Sequence, residues 1–245
     1  MSYIIKTRDD FWLDDISALT YGLAVDMQQP VPMARQRVTK YQSGDTDTST
    51  PDDSFEDVRY TLTARRIKSP DNFIASDLYA ALATARTLRL TRNADRYYKI
   101  ASVVDVVPTA SLRGNEQVYK ITLLISPFAY HTANPEFAPE NNIITNPGTR
   151  YSRPIYKITN ASAGGQVYYT NGSITVNGQE LQINFGGASQ KTVVVDAEKM
   201  IAYDSSTHEN LTRFTAGLFP FLSPGNNAIV TDKCTVSVVG NWRDY

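Results

Sequence analysis

The chain has 245 residues, 42% of them hydrophobic, and its 24 basic against 25 acidic side chains leave a net charge of −1. That length allows one large or two modest domains with a real core, and the apolar content excludes wholesale disorder. The balanced charge gives no support to a nucleic-acid binder that works by covering phosphates with lysine and arginine.

The N-terminal "MSYIIKTRDDFW" has no basic stretch followed by an apolar core, so no secretory signal is expected. No run approaches the roughly 18 apolar residues that cross a bilayer. The expectation is a chain made in the cytoplasm that does not insert into a membrane. "AVDMQQPVPMARQRVTKY" predicts a strand interrupted by Pro30 and Pro32, which belong at an edge or a bend. Residues 40–53, "KYQSGDTDTSTPDD", are polar, small and acidic. They read as a loop or as an arm that orders against a partner, and composition favours the loop. "EDVRYTLTARR" sets Val58, Tyr60, Leu62 and Ala64 on one face against Arg59, Thr61, Thr63 and Arg65 on the other, which is a strand with one wet side. "SDLYAALATAR", Ser76 to Arg86, is the one good helix. Ser76 suits its cap, Asp77 suits its positive end, and Leu78, Leu82 and Ala85 share a face. "QVYKITLLIS" predicts another strand ending at Ser126.

After Tyr130 the texture changes. "HTANPEFAPENNIITNPGTRYSRP" holds four prolines and little periodicity, and reads as an interdomain crossing followed by a wandering first segment. Two domains are expected, 1–132 and 133–245. "VYYTNGSITVNGQELQINF" predicts tight hairpin turns at both Asn171-Gly172 and Asn177-Gly178, because both residue types tolerate positive φ. "KTVVVD", "KMIAYD", "NNAIVT" and "TVSVVGNW" continue the run of short strands. The fold class is therefore mainly β: a β-rich N-terminal domain with one helix, then a C-terminal antiparallel β-sandwich.

Few residues point to chemistry. Cys234 is the single cysteine, so no intrachain disulfide forms, and its β-rich surroundings predict a small buried apolar residue. His131 and His208 have no Cys or His at metal-like spacing and read as solvated loop histidines. Asp14-Asp15, Asp52-Asp53 and Asp204 with Glu209 read as solvated acidic patches. The sequons at Asn160, Asn171 and Asn210 carry no weight without a secretory signal. No phosphate-cradling loop, nucleophile elbow or Cys-x-x-Cys is present. The expectation is no catalytic residue, no metal and no cofactor. Fifteen tyrosines lean toward protein interfaces, although tyrosine also serves strand faces.

Two stretches stand out: "NPGTRYSRPIYKI", beginning at Asn146, and "GLFPFLSPGNNAIV", Gly217 to Val230. Pro147 confines Asn146 to extended backbone and Gly148 permits a turn of the opposite hand, so the first reads as a corner leading into the first sandwich strand. The second reads as a similar device before the last strands. Both are structural motifs.

With these stretches the chain resembles the distal tail proteins of siphophages. The family's Asn-Pro-Gly-Thr opening is matched by Asn146, Pro147, Gly148 and Thr149, followed by Pro154. Its later Phe-Pro-x-Leu-x-Pro-Gly-x-Asn segment is matched by Phe219, Pro220, Leu222, Pro224, Gly225 and Asn227. Between them Val194, Val195, Asp196 and Glu198 match a Val-Val-Asp-x-Glu strand, and Leu88 to Val103 looks like the family's strand with an acidic-x-Tyr-Tyr turn. The Gly-Arg-Asp-Gly-type turn of many relatives is reduced here to Gly44-Asp45. The resemblance implies an N-terminal domain that assembles as a homo-hexameric ring and a galectin-like or carbohydrate-module-like sandwich outside it. It implies a non-enzymatic hub at the distal end of a virion tail, joining the tail tube protein to tail-tip hub, receptor-binding or baseplate proteins. DNA would pass through without specific binding. A ring needs arms between neighbours, and residues 40–53 are the candidate, with Gly44, Asp45, Asp47, Asp52 and Asp53 at a subunit interface or lining the lumen. The alternative is a carbohydrate-binding module that recognises the host surface. Tyr168 and Tyr169, adjacent on a strand, point to opposite faces and do not form a sugar platform, which favours the hub.

Overall fold

The computed structural model describes residues 9–25, 30–32, 35–43, 46–66, 75–110, 117–161, 169–185 and 192–245. Two compact units emerge, Met1–Thr132 together with Tyr245, and Ala133–Asp244.

The first unit contains β1 (Phe11–Leu13), β2 (Ile16–Ser17), β3 (Leu23–Val25), β4 (Gln36–Ser43), β5 (Thr46–Phe55), β6 (Val58–Arg66), helix α1 (Ala75–Thr84), β7 (Thr87–Leu90), β8 (Arg96–Ala110), β9 (Gln117–Ile125) and β10 (Ala129–His131). Its main sheet runs β2-β1-β7-β8-β9-β6-β3, with β10 paired to β8. Asp9, just before β1, bridges Val25 at the end of β3, so the path from β1 to β3 curls back on itself, with β2 beyond β1. The alternation read in β6 is realised, with Val58, Tyr60, Leu62 and Ala64 buried and Arg59 and Thr63 exposed. These side chains join Phe11, Leu23, Val25, Ile121 and Leu123 in one core. Leu78, Leu82 and Ala85 of the helical segment enter the same core. Among the described residues the helix runs Ala75–Thr84, so Ser76 lies within it and is not the cap. The strand predicted over 24–41 is instead two strands, β3 and β4, with Pro30 and Pro32 outside both. The missing N–H of each proline explains the break. The region read as a favoured loop forms the antiparallel hairpin β4–β5, which pairs with no other strand among the described residues.

The second unit contains β11 (Glu136–Phe137), β12 (Ile143–Asn146), β13 (Ile155–Asn160), β14 (Asn171–Val176), β15 (Gln179–Asn184), β16 (Thr192–Asp196), β17 (Ile201–Asp204), β18 (Thr215–Gly217), β19 (Gly225–Asp232), β20 (Cys234–Val239) and β21 (Arg243–Asp244). Two five-stranded antiparallel sheets, β11-β20-β13-β16-β17 and β12-β19-β14-β15-β18, enclose a single core built around Tyr156, Ile174, Leu181, Val195 and Trp242. The segment predicted to wander after the crossing already contributes β11 and β12, one to each sheet.

Of the two predicted Asn-Gly turns, only one is a turn. Asn177 and Gly178 take φ of 46° and 81° between Val176 and Gln179, the conformation that suits a two-residue hairpin. Asn171 and Gly172 lie inside β14, opposite Asn184 and Ile183. Gly172 is there because of crowding: a Cβ would sit 2.9 Å from the Phe185 ring.

Candidate functional site

The two corner motifs, about eighty residues apart in sequence, are neighbours in space. Strand β12 pairs with β19 so that Asn146 faces Gly225 and Thr145 faces Asn226. Asn146 is 2% exposed. Its amide donates to the carbonyls of Arg150 (2.9 Å) and Leu222 (3.1 Å), and its side-chain oxygen accepts from the Gly148 N–H at 2.9 Å. Ser152 and Leu222 exchange backbone hydrogen bonds alongside. Asn227, fully buried, accepts from the Asn177 amide (2.7 Å) and the Ser223 N–H (2.8 Å). Its amide lies within reach of the carbonyls of Ser223, Gly225 and Ile144, at 2.9 to 3.2 Å. Pro154 and Pro220 are buried, while Pro147, Pro224 and Gly225 are exposed. Gly225 adopts φ 83°, the left-handed region that favours glycine.

Gly148 departs from its expected role. Its φ is not positive, and a Cβ at that position would collide with the carbonyl oxygen of Arg243. The glycine is required for close approach, not for handedness. The corner also does not precede the first sandwich strand. It carries the chain from β12 in one sheet to β13 in the other.

The remaining sequence candidates resolve into structural roles. Asp14 and Asp15 take φ of 47° and 67° in the turn between β1 and β2. The Asp14 carboxylate accepts from the Arg86 and Thr87 N–H groups, and Asp15 pairs with Arg89 at 3.2 Å. Asp204 accepts from the N–H groups of Ser206 and Thr207, organising the turn that carries His208. His208 is exposed and stacks on Tyr203. His131 is not a loop residue: it is half-buried on β10, opposite Arg96. Cys234 is buried in the sandwich core, where burial pushes its thiol up to about 11. Trp242 is buried against Phe137. Among the described residues, no group of three or more His, Cys, Asp or Glu side chains could hold a metal ion. Nor is any helix there long and apolar enough to cross a membrane. Gly44 and Asp45 lie outside the described residues, as does Tyr168, and Asp47, Asp52 and Asp53 are placed on β5 by the backbone alone.

Two open surfaces went unnoticed in the sequence. On the first unit, β6, β8 and β9 present a depression of about 440 Å³ lined by Arg59, Lys120, Asp105, Val104 and Val107. The pairing of β8 with β9 shifts register twice, and Val104 falls in the second irregularity. That places Val104 and Val107, each 42% exposed, on the solvent side. On the second unit, a groove of about 280 Å³ crosses the outer face of β14, β15, β18 and β19. Alternation alone marks its residues as outward-facing, but only the strand order brings them together.

No protein-family model matches the chain, and no curated protein matches it in sequence. A solved structure is similar in fold: the crystal structure of the SPP1 Dit (gp 19.1) protein, described as a paradigm of the hub adsorption apparatus in phages that infect Gram-positive bacteria. The similarity has a TM-score of 0.69 at 12% identity and covers 94% of this chain and 97% of that one.

Proposed function

We propose that this protein is the structural hub of a phage tail tip, a homo-hexameric ring that joins the tail tube to tail-tip or baseplate proteins. The observation that carries the reading is the match in fold to a phage hub protein across nearly the whole of both chains. Spatial pairing of the two corner motifs adds support, since it gives the residues behind the family resemblance a common structural task. In this reading the Met1–Thr132 unit is the ring-forming domain and the Ala133–Asp244 unit is the galectin-like outer domain. Partners are further copies of the chain, the tail tube protein, a tail-tip hub protein and receptor-binding or baseplate proteins. The protein acts at the distal end of the virion tail and has no catalytic turnover. Gly44, Asp45, Asp47, Asp52 and Asp53 sit at a subunit interface or line the lumen, where acidic side chains repel passing DNA. Light scattering on the purified protein tests the proposal. A particle of six or twelve chains of 27.3 kDa is expected, and a strict monomer at high concentration refutes it.

A further inference from the structure

We propose that the Asn177-Gly178 turn is a site of spontaneous deamidation, at which Asn177 becomes aspartate or isoaspartate, and that the folded chain holds this reaction in check through Asn227. The site stands on the second unit's own residues and does not depend on ring formation. Asparagine followed by glycine is the pair most open to this chemistry, because no side chain on the second residue shields its backbone nitrogen. The sequence holds two such pairs, Asn171-Gly172 and Asn177-Gly178. The second is the one presented to water. Asn177 and Gly178 are both exposed, and nothing lies within 4 Å of the position a Gly178 Cβ would take. Gly172 is buried inside β14 opposite Ile183, with the Phe185 ring and the Asp232 carbonyl packed against it.

The reaction needs water and no other partner. The Gly178 nitrogen attacks the carbonyl carbon of the Asn177 side chain, the bond from that carbon to the amide nitrogen breaks, and the amide leaves as ammonia with the proton that the Gly178 nitrogen gives up. Water then opens the resulting five-membered succinimide at one of its two carbonyls. One opening gives aspartate, and the other gives isoaspartate, whose backbone runs through the side-chain carbon. In the folded chain β19 holds Asn177 at three points. Its N–H donates to the Ala228 carbonyl at 3.0 Å, its side-chain oxygen accepts from the Ala228 N–H at 3.0 Å, and its side-chain amide donates to the Asn227 oxygen at 2.7 Å. Attack requires the side-chain carbon to swing toward Gly178, which breaks both side-chain bonds, so the tether slows the step by about tenfold relative to an open turn. The product cannot be fastened in the same way. A carboxylate has no N–H to give, and its oxygen meets the Asn227 oxygen as a second acceptor. Isoaspartate also adds a backbone carbon to a two-residue turn between Val176 and Gln179. Each conversion therefore loosens the contact that joins this turn to the corner before β19.

The test is incubation of the full chain in warm, mildly alkaline buffer, once folded and once in urea, followed by peptide mass spectrometry and by labelling with an isoaspartate methyltransferase. In the folded chain modification should appear first at Asn177 and leave Asn171 intact. In urea both pairs should react, with Asn177 about tenfold faster than when folded. Asn227→Ala removes one end of the tether and should speed the reaction of folded Asn177 severalfold. That variant also loses stability, so Asn177→Asp gives a second measurement: it is the aspartate product made directly, and it should unfold at a lower urea concentration than the parent. The proposal fails if Asn171 or another asparagine reacts first in the folded chain, or if Asn177 reacts at the same rate folded and unfolded. It also fails if Asn227→Ala leaves the folded rate unchanged, or if Asn177→Asp keeps the unfolding midpoint of the parent.

Discussion

Asn227 shows how much a single side chain can hold together. Its oxygen takes two donors and its amide serves carbonyls from the corner before β19 and from β12. Replacing it with alanine removes every one of these bonds inside a closed core, and a buried donor left unpaired costs about 1–3 kcal/mol. Asn227→Ala should therefore lower stability by about 3 kcal/mol in urea unfolding, several bonds being lost together. Gly148→Ala should cost about 1–3 kcal/mol for a different reason, the overpacking of a Cβ against the Arg243 backbone. An unchanged unfolding midpoint in both variants would deny the paired corners a structural role.

Asp196 links the same unit to pH. Burial alone would raise its carboxyl, but hydrogen bonds from the Lys199 ammonium (2.9 Å) and from the N–H groups of Lys199 and Glu198 prevail and hold it below the usual aspartate range. A depressed folded pKa contributes stability above the unfolded value near 3.9, and that contribution is lost as pH falls through the folded value. Asp196→Asn should accordingly be less stable than the parent at pH 7, with the gap closing on acidification below about 4. The Lys199 head is largely exposed, so much of the effect comes from the two backbone donors and should survive Lys199→Ala. Unfolding measured from pH 7 to 3 decides the matter; a gap that widens in acid contradicts the assignment.

At the scale of elements, the β4–β5 hairpin is the piece that does not support itself. Within the described residues it pairs only with itself, and an isolated two-stranded hairpin is marginal in water. Its strands, "QRVTKYQS" and "TDTSTPDDSF", carry few large apolar side chains. In the proposed ring, where each copy presents two different surfaces, a neighbouring subunit would supply further contacts to it. Deleting residues 43–52 should leave the single chain folded, with its circular dichroism and melting temperature retained, and weaken the ring. Hexamers that persist to the same dilution as the parent would make the hairpin an ornament. Position within an element also decides what glycine does: Asn177-Gly178 turns a hairpin, whereas Asn171-Gly172, with the same letters, runs straight through a strand beneath Phe185.

For the whole molecule, the two cores are built from separate residue sets, one drawn from Phe11 to Ala129 and the other from Ile144 to Trp242. Each has its own buried aromatic and aliphatic side chains, which is the condition for independent folding. We therefore propose two separable domains, with cleavage concentrated near residues 131–135. Limited proteolysis should yield a stable fragment beginning there, and cleavage spread evenly along the chain would contradict it.

The residues by themselves determined the strand content, the helix with Leu78 and Leu82 inward, the inward face of β6, the burial of Cys234 and the turn at Asn177-Gly178. Each depends on a period of two or 3.6 or on a local φ preference, and local preferences are written in adjacent letters. Only the tertiary structure decided that Asp9 meets Val25, that Asn146 lies opposite Gly225, and that Gly148 answers to the Arg243 backbone. It alone assembled Ser173, Gln182 and Asp232 into one row. Those contacts join residues from 9 to 95 positions apart. They are selected by which strands become neighbours, a choice made by burial of whole faces and not by any short stretch of chain.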